Sequence, residues 1–193
     1  MPYPYHAEQR ALQDRFDTRR LADALSERNV RDHLDDGDRE FIERLDMFFL
    51  ATVDADGMPE CSFKAGDPGF VRILSPGEIA FPNWDGNGMY VSLGNIAANP
   101  AVGLLFIDFE QQKRLRMCGV ASIDTDDPLV GEWPEAQLVV RVALTRVYPN
   151  CPRYIPKMQL VERSRFTPRR GVETPVPAWK ERYRDVLPAR DRL

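Results

Sequence analysis

Between residues 47 and 148 the chain is a succession of short β-rich runs, each closed by a turn signal, and this leaves few folds open. The run MFFLATV (47–53) is followed by the turn DADG (54–57) and a return run from Pro59 to Lys64, the pattern of a β-hairpin. DPG (67–69) leads into FVRIL (70–74), and SPG (75–77) turns that run into EIAF (78–81). After a long central loop come AVGLLFIDF (101–109), RLRMCGVASI (114–123) and AQLVVRVALTRVY (136–148), the last dense in β-branched residues. There is no strand–helix alternation of the kind that builds a parallel sheet, and no internal repeat. The expectation is a mainly β fold: a six- to seven-stranded antiparallel Greek-key barrel, closed or split, with helices at its periphery.

The flanks differ in character. Residues 6–30 are rich in Ala, Leu, Arg, Glu and Gln, with Leu12, Phe16, Leu21 and Leu25 at helical spacing. They predict an amphipathic helix, broken near Asp17 and Thr18, packed on the domain or on a second subunit. DDGD (35–38) is a cap signal for a short second helix carrying Phe41, Ile42 and Leu45. Many of the 16 prolines fall in the C-terminal part, which is therefore expected to wrap rather than form long helices.

Composition excludes several functions. A formal net charge of -4 gives no global footprint for nucleic acid. The only two histidines, His6 and His33, lie in the N-terminal part, and the three cysteines (Cys61, Cys118, Cys151) are far apart. Neither a metal cluster, a disulfide framework nor a histidine-based nucleophile set can be assembled from these. MFFLATV is the longest apolar run, too short to cross a bilayer, and MPYPYHAEQR lacks the apolar core of a signal peptide. These features predict a cytoplasmic protein without membrane or nucleic-acid partners.

Two places carry candidate chemistry. The central stretch from Ile79 to Phe109 reads as strand, glycine-rich polar loop (Asn83, Trp84, Asp85, Gly86, Asn87, Gly88), short helix with Ser92, Gly94 and Asn95, then strand after AsnPro (99–100). Glycine amides beside a helix start form an anion cradle; the same pattern also suits an ordinary surface loop. On the strand from Pro59 to Lys64, alternation places Ser62 and Lys64 on one face and Cys61 and Phe63 on the other. Ser62 and Lys64 would suit a phosphate, or Lys64 would be a solvated edge lysine. Arg114, Arg116 and Cys118 share a strand face; the two guanidinium groups either hold an anion or are offset by Asp108 and Glu110.

Taken together, FFLATVDADGMPECSFKAGDPGFVRIL, IAFPNWDGNGMYVSLGNIAANPAVGLLFIDF, RLRMCGVASI and YPNCPRYI resemble the pyridoxamine 5′-phosphate oxidase-like proteins. The likeness is nearest to the branch described as predicted flavin-nucleotide-binding proteins. It covers residues 38–160, leaving an N-terminal helical extension (1–37) and a proline-rich tail (161–193) that would pack on the barrel or on a dimer partner. The resemblance implies a split-barrel homodimer with FMN at the subunit interface. Ser62, Phe63 and Lys64 would lie along the flavin, Asn83 to Asn87 would help hold it, and Ser92 and Asn95 at the helix start would support its phosphate side. Arg114 or Arg116 would contact the flavin from the partner subunit, with Phe63, Trp84 and Tyr90 as ring walls. Cys61, facing away from the flavin, would be a buried structural thiol.

The family's basic run in the central loop is replaced here by uncharged GNGM (86–89), and Trp179 and Lys180 only loosely resemble its substrate-binding C-terminal segment. The cofactor is therefore expected to carry over and a vitamin B6 substrate is not. The function implied is an FMN-dependent oxidoreductase with an unassigned small-molecule substrate or electron donor. The alternatives are a flavin carrier or sensor without turnover, or a barrel binding the deazaflavin F420 or haem. Haem is disfavoured by the lack of a barrel histidine.

Overall fold

The computed structural model describes residues 2–188. Three helices, α1 (Ala7–Arg15), α2 (Arg19–Asn29) and α3 (Asp36–Glu43), precede seven strands: β1 (Met47–Val53), β2 (Pro59–Ala65), β3 (Arg72–Ser75), β4 (Glu78–Asn83), β5 (Ala101–Asp108), β6 (Lys113–Asp124) and β7 (Leu138–Pro149). One further helix, α4 (Val91–Ala98), lies between β4 and β5. The strands form a single antiparallel sheet in the order β2-β1-β5-β6-β7-β4-β3. That order puts consecutive strands β2 and β3 at opposite edges. Their link, residues 66–71, could span only about 25 Å fully extended, less than the roughly 29 Å across six strand spacings of a flat sheet. It is turned besides, with the Phe70 N–H donating to the Asp67 carbonyl at 2.9 Å and Gly69 at φ +84°. The sheet therefore curls into a split barrel.

The inner face is a packed aromatic and aliphatic core. Phe48 is fully buried, with ring centroids 4.9 Å from Phe106, 5.0 Å from Phe81 and 5.9 Å from Phe70. Leu34, Ile42 and Leu45, from α3 and its flanks, join the same core. Between Cys118 and Gly119 the β6–β7 register shifts, and a Cβ on Gly119 would stand 2.6 Å from the Ala143 carbonyl oxygen. Only glycine permits that approach.

The outer face is covered on one half only. β4 is buried on both sides because Ala80 and Val139 pack under Trp133. β1 and β5 instead alternate buried with open positions. Together with Phe63 of β2 (57% exposed) and Val120 of β6 (50% exposed), their outward residues leave an uncovered, largely apolar sheet face.

The expected break in the first helix falls at Asp17, whose φ of +52° ends α1 before α2 begins. Leu12, Phe16, Leu21 and Leu25 are all exposed, so this apolar row is not packed on the chain's own barrel. Cys61 is exposed rather than a buried thiol: its face of β2 is the uncovered outer one. The last strand starts at Leu138, two residues later than the β-branched pattern suggested. The described part of the tail runs along the barrel without a long helix. Arg169 forks onto Asp67 with two bonds of 2.7 Å, and Ala178–Val186 forms a kinked 3-10 segment. Positions 189–193 of the expected tail lie outside the described residues. Among the described residues no helix is long and apolar enough to cross a membrane.

Candidate functional site

Cross-strand pairing decides which way the β2 side chains face. Lys64 stands opposite Phe48, Ser62 opposite Leu50 and Glu60 opposite Thr52. Paired residues of an antiparallel ladder project to the same side, so Glu60, Ser62 and Lys64 point to the barrel side, at its split edge. The crossover from β4 to β5 passes in front of them. It begins as the Asn83–Gly88 loop and ends in α4, which packs against β1, β2 and β6. The two together enclose a groove of about 370 Å³, inside the size range of small-molecule sites.

Nine of the twelve candidate residues line this groove: Ser62, Phe63 and Lys64 from β2, Asn83, Trp84, Asp85, Gly86 and Asn87 from the loop, and Ser92 from α4. Tyr90 lines it as well. The loop is braced from below. Asn83 Nδ2 and the Tyr90 hydroxyl both donate to Gln137 Oε1, at 3.2 and 3.0 Å, and Trp84 Nε1 donates to the Pro134 carbonyl at 2.9 Å. Trp84 also stacks on Phe70 at 6.3 Å, which makes it a wall anchored in the core. Gly88 needs its φ of +76°, whereas a Cβ at Gly86 or Gly94 would meet open space. At Gly86 and Gly94 bare backbone is thus available to a ligand.

The polar groups of the groove fall into two sets. Glu60, Ser62, Ser92, Thr52 and Asn95 form a satisfied network. Ser92 Oγ donates to Glu60 Oε2 and lies 3.0 Å from Ser62 Oγ, Thr52 Oγ1 donates to Glu60 Oε2 at 3.1 Å, and Asn95 Nδ2 donates to Thr52 Oγ1 at 3.1 Å. Asn95 accordingly sits one layer behind the groove, holding α4 to β1. Lys64 belongs to the other set. It is partly buried, and no carboxylate among the described residues comes within ion-pair distance. Burial holds its ammonium below the ordinary lysine value, partly opposed by the charge of Glu60. The start of α4 adds to this: Tyr90, at φ +50°, gives no side-chain cap, so the positive end of the helix is left for something else to satisfy. An uncovered cation and an uncapped helix start facing one cleft suit an anionic group.

Arg114 and Arg116 are not in the groove. Register places them, with Cys118, on the uncovered outer face beside Ile107, Leu105 and Gly103. Asp108, the expected counter-charge, is taken by Arg44 at 2.8 Å and by the Gln111 N–H at 2.7 Å. Neither arginine forms an ion pair among the described residues, and the buried Arg114 Nε has no hydrogen-bond partner.

Sequence reasoning missed Glu60, although the alternation that selected Ser62 and Lys64 also selects it. It missed Gln137 too, because no local pattern reveals a long-range partner. Lys180, which only loosely resembles a residue of the family's C-terminal segment, was not among the expected site residues. It is 7% exposed and donates to Asp85 at 2.6 Å, tying the tail to the groove's loop.

Known proteins bear on this arrangement in two ways. The family model described as pyridoxamine 5′-phosphate oxidase matches residues 34–162. Among solved structures, a Lactobacillus delbrueckii protein assigned provisionally to the pyridoxamine 5′-phosphate oxidases is 22% identical, covering 61% of this chain and 95% of its own, with a TM-score of 0.50. A variant of HupZ from Group A Streptococcus is 21% identical over 60% of this chain and 98% of its own, TM-score 0.49. An FMN-binding protein from Syntrophomonas wolfei is 14% identical over 60% and 89%, TM-score 0.39. No curated protein matches the chain. At these identities the structural likenesses bear on the fold alone.

Proposed function

This chain belongs to the pyridoxamine 5′-phosphate oxidase family, and from that premise we propose that it binds FMN in the groove between β2 and the Asn83–Ser92 crossover and acts as an oxidoreductase on a small molecule. The observation that carries the reading is Lys64: a half-buried ammonium that forms no ion pair among the described residues, facing an amide-rich loop and an uncapped helix start. A phosphorylated, planar cofactor answers all three, the phosphate taking the charge and the ring taking the Trp84 and Tyr90 walls, while the Phe63 side chain turns to the outer face of β2.

When bound, FMN supplies the electron and hydride chemistry. The chain's own part is to bind, orient and exclude water. Lys64 holds an anionic oxygen or a developing negative charge on the ring edge, while the Gln137 and Pro134 bonds keep Asn83, Trp84 and Tyr90 in place. Glu60, with Ser92 and Thr52 donating to it, fixes α4 against the strand.

The same proposal includes a homodimer. Its support is the uncovered apolar face of β2-β1-β5-β6, the bare apolar row of α1 and α2, and two arginines on that face that form no ion pair among the described residues. Packing this face on a second copy would cover the apolar residues and present Arg114 or Arg116 to the partner's cofactor. Of the alternatives, haem receives no histidine here: His6 caps α1 and His33 follows α2, both outside the barrel.

The visible spectrum of freshly purified protein tests the reading. Oxidised-flavin bands, with FMN released on denaturation and a dimer by analytical ultracentrifugation, are expected. A colourless monomer that does not take up added FMN would overturn it. Steady-state oxidation of a reduced nicotinamide then separates an oxidoreductase from a carrier.

A further inference from the structure

A separate cavity lies behind the groove. The β2–β3 link with Arg72, the ring of Trp84, the β6–β7 connection at Trp133 and Pro134, and the tail at 167–170 enclose about 310 Å³. That volume is at the lower end of the range for small-molecule sites. Phe70 and Trp84 are the described residues that line both this cavity and the groove, so these two rings form the partition between them. The tail is fastened here: Arg169 forks onto Asp67 with two bonds of 2.7 Å, which holds Thr167 to Arg170 against the β2–β3 link.

Its walls are flat and apolar, and its rim is cationic. Phe70 and Trp84 stack with centroids 6.3 Å apart at 28°, Trp133 is buried, and Pro68, Pro134 and Pro168 add their rings. Flat faces of this kind suit a flat ligand. The charged residues among the described lining are Asp67, Arg72, Arg169 and Arg170. Asp67 is neutralised by Arg169, with Arg163 3.8 Å away as well. Arg170 Nη2 donates to the carbonyls of Gly131 and Glu132 at 3.1 and 3.3 Å, which fix the guanidinium without offsetting its charge. Arg72 meets the Glu132 carboxylate at 4.0 Å, both side chains being about half exposed, and a pair of that kind contributes little. The charge left over is therefore positive. A guanidinium fork matches a carboxylate bidentately, and Arg170, already held in place, loses little freedom in doing so.

We propose that this cavity is a second binding site, distinct from the groove, and that it takes a planar aromatic acid. The ring system packs against Trp84 and Trp133, and the carboxylate is received by Arg72 and Arg170. The site does not depend on the FMN reading, because none of its arginines lines the groove. Arg169 is a positioning residue: its charge is spent on Asp67, and its part is to keep the tail, and with it Arg170, at the rim.

Isothermal titration of the full-length protein with 2-naphthoate and with 2-naphthamide tests this, since the two probes share ring and shape and differ in charge. 2-Naphthoate is expected to bind at least about tenfold more tightly, as charge-assisted hydrogen bonds to a guanidinium require. That advantage should shrink with added salt. Arg72→Gln should weaken 2-naphthoate by about tenfold and 2-naphthamide by less than about twofold. Arg170→Gln repeats the test from the other fork if Arg72→Gln misfolds. Binding in the groove is controlled for by Lys64→Met and by saturating FMN, each of which should leave 2-naphthoate affinity within about twofold, as for independent sites. Equal affinity for the two probes, wild-type affinity in both arginine variants, or loss of 2-naphthoate binding in Lys64→Met or under FMN would overturn the assignment. The two readings fail separately. Protein that ignores FMN but binds 2-naphthoate through Arg72 refutes the cofactor alone, and protein that takes FMN but no 2-naphthoate refutes the second site alone.

Discussion

Replacing Lys64 with Met separates the energetics of the empty groove from those of the filled one. Methionine keeps the apolar length of the lysine stem and removes only the ammonium, so the packing of the stem changes little. A charge-assisted hydrogen bond to a phosphate or ring oxygen contributes about 1.5–3 kcal/mol, which corresponds to a loss of roughly 10- to 150-fold in FMN affinity. The apo protein should respond in the opposite direction. Burial depresses the Lys64 pKa in the folded state, so the unfolded chain binds this proton more tightly than the folded one. Folding then works against the charge at neutral pH, and stability rises with pH between the depressed folded value and the ordinary lysine value. Lys64→Met removes that burden: apo Tm should rise and the alkaline gain should vanish. A gain of only about 0.5 kcal/mol would move Tm by roughly 1–2 °C in a chain of this size, within reach of differential scanning calorimetry. Flavin fluorescence quenching, titrated from neutral pH upward, gives the other half: wild-type affinity should decline as Lys64 deprotonates, and the variant should lack that decline. An FMN affinity within about twofold of wild type, or a less stable apo variant, would refute the assignment of Lys64 as the groove's anion ligand.

Two further substitutions test the scaffold. Gly119→Ala forces a Cβ to within 2.5 Å of Val142 Cγ1 and 2.6 Å of the Ala143 carbonyl oxygen. Backbone cannot yield as a side-chain tip does, so a loss of about 2–3 kcal/mol in urea unfolding is expected, and near-wild-type stability would show that the bulge relaxes. Asp127→Ala leaves Arg141 without the carboxylate that receives its Nε at 2.5 Å and its Nη2 at 3.1 Å. Because Arg141 is about a third exposed and keeps Glu78, the cost should be about 2 kcal/mol, below that of a fully buried pair. The Arg141 bond also sets a pH dependence, since it lowers the Asp127 pKa. The contribution of Asp127 is complete above the unfolded carboxylate value and is lost as pH falls through the lower folded one. The acid limb of the stability profile should therefore be shallower in the variant.

The β architecture was legible because its signals are local. Turn residues at 54–57, 67–69 and 75–77 and two-residue alternation on β2 and β6 were enough to place the strands and their faces. The same rule brought Ser62 and Lys64 to one side and Phe63 to the other, and nine candidate residues met in one groove. What was not legible depends on which faces are covered. Cys61 was expected to be buried because its face opposes the cofactor, yet alternation says only which residues share a face and not what packs on it. Trp133 covers the outer face at β4, whereas at β2 no described residue covers it and Cys61 is exposed. The Asp67–Arg169 and Asp85–Lys180 pairs join residues 102 and 95 positions apart, and no sequence window relates them. The α1–α2 row of leucines was recognised as a helix face, but helical spacing does not name the surface that receives it.

The distribution of charge across the sheet gives the proposed dimer a functional reason. Side chains of one antiparallel sheet cannot approach the same point from both faces, so Lys64 and the Arg114–Arg116 pair of a single copy cannot serve one ligand. Among the described residues Lys64 is the one cation lining the groove, and the central loop supplies none between Gly86 and Met89. A phosphate carries close to two negative charges at neutral pH, more than one lysine and a helix start neutralise. The missing positive charge exists, on the outer face, next to the exposed apolar residues that a second copy would cover. Burial of those residues and completion of the anion site are then the same event, and flavin affinity should weaken on dilution below the dimer dissociation constant. Arg116→Ala would separate the two contributions, since Arg116 is exposed and its loss should reduce FMN affinity while leaving the apo monomer's stability within about 0.5 kcal/mol of wild type.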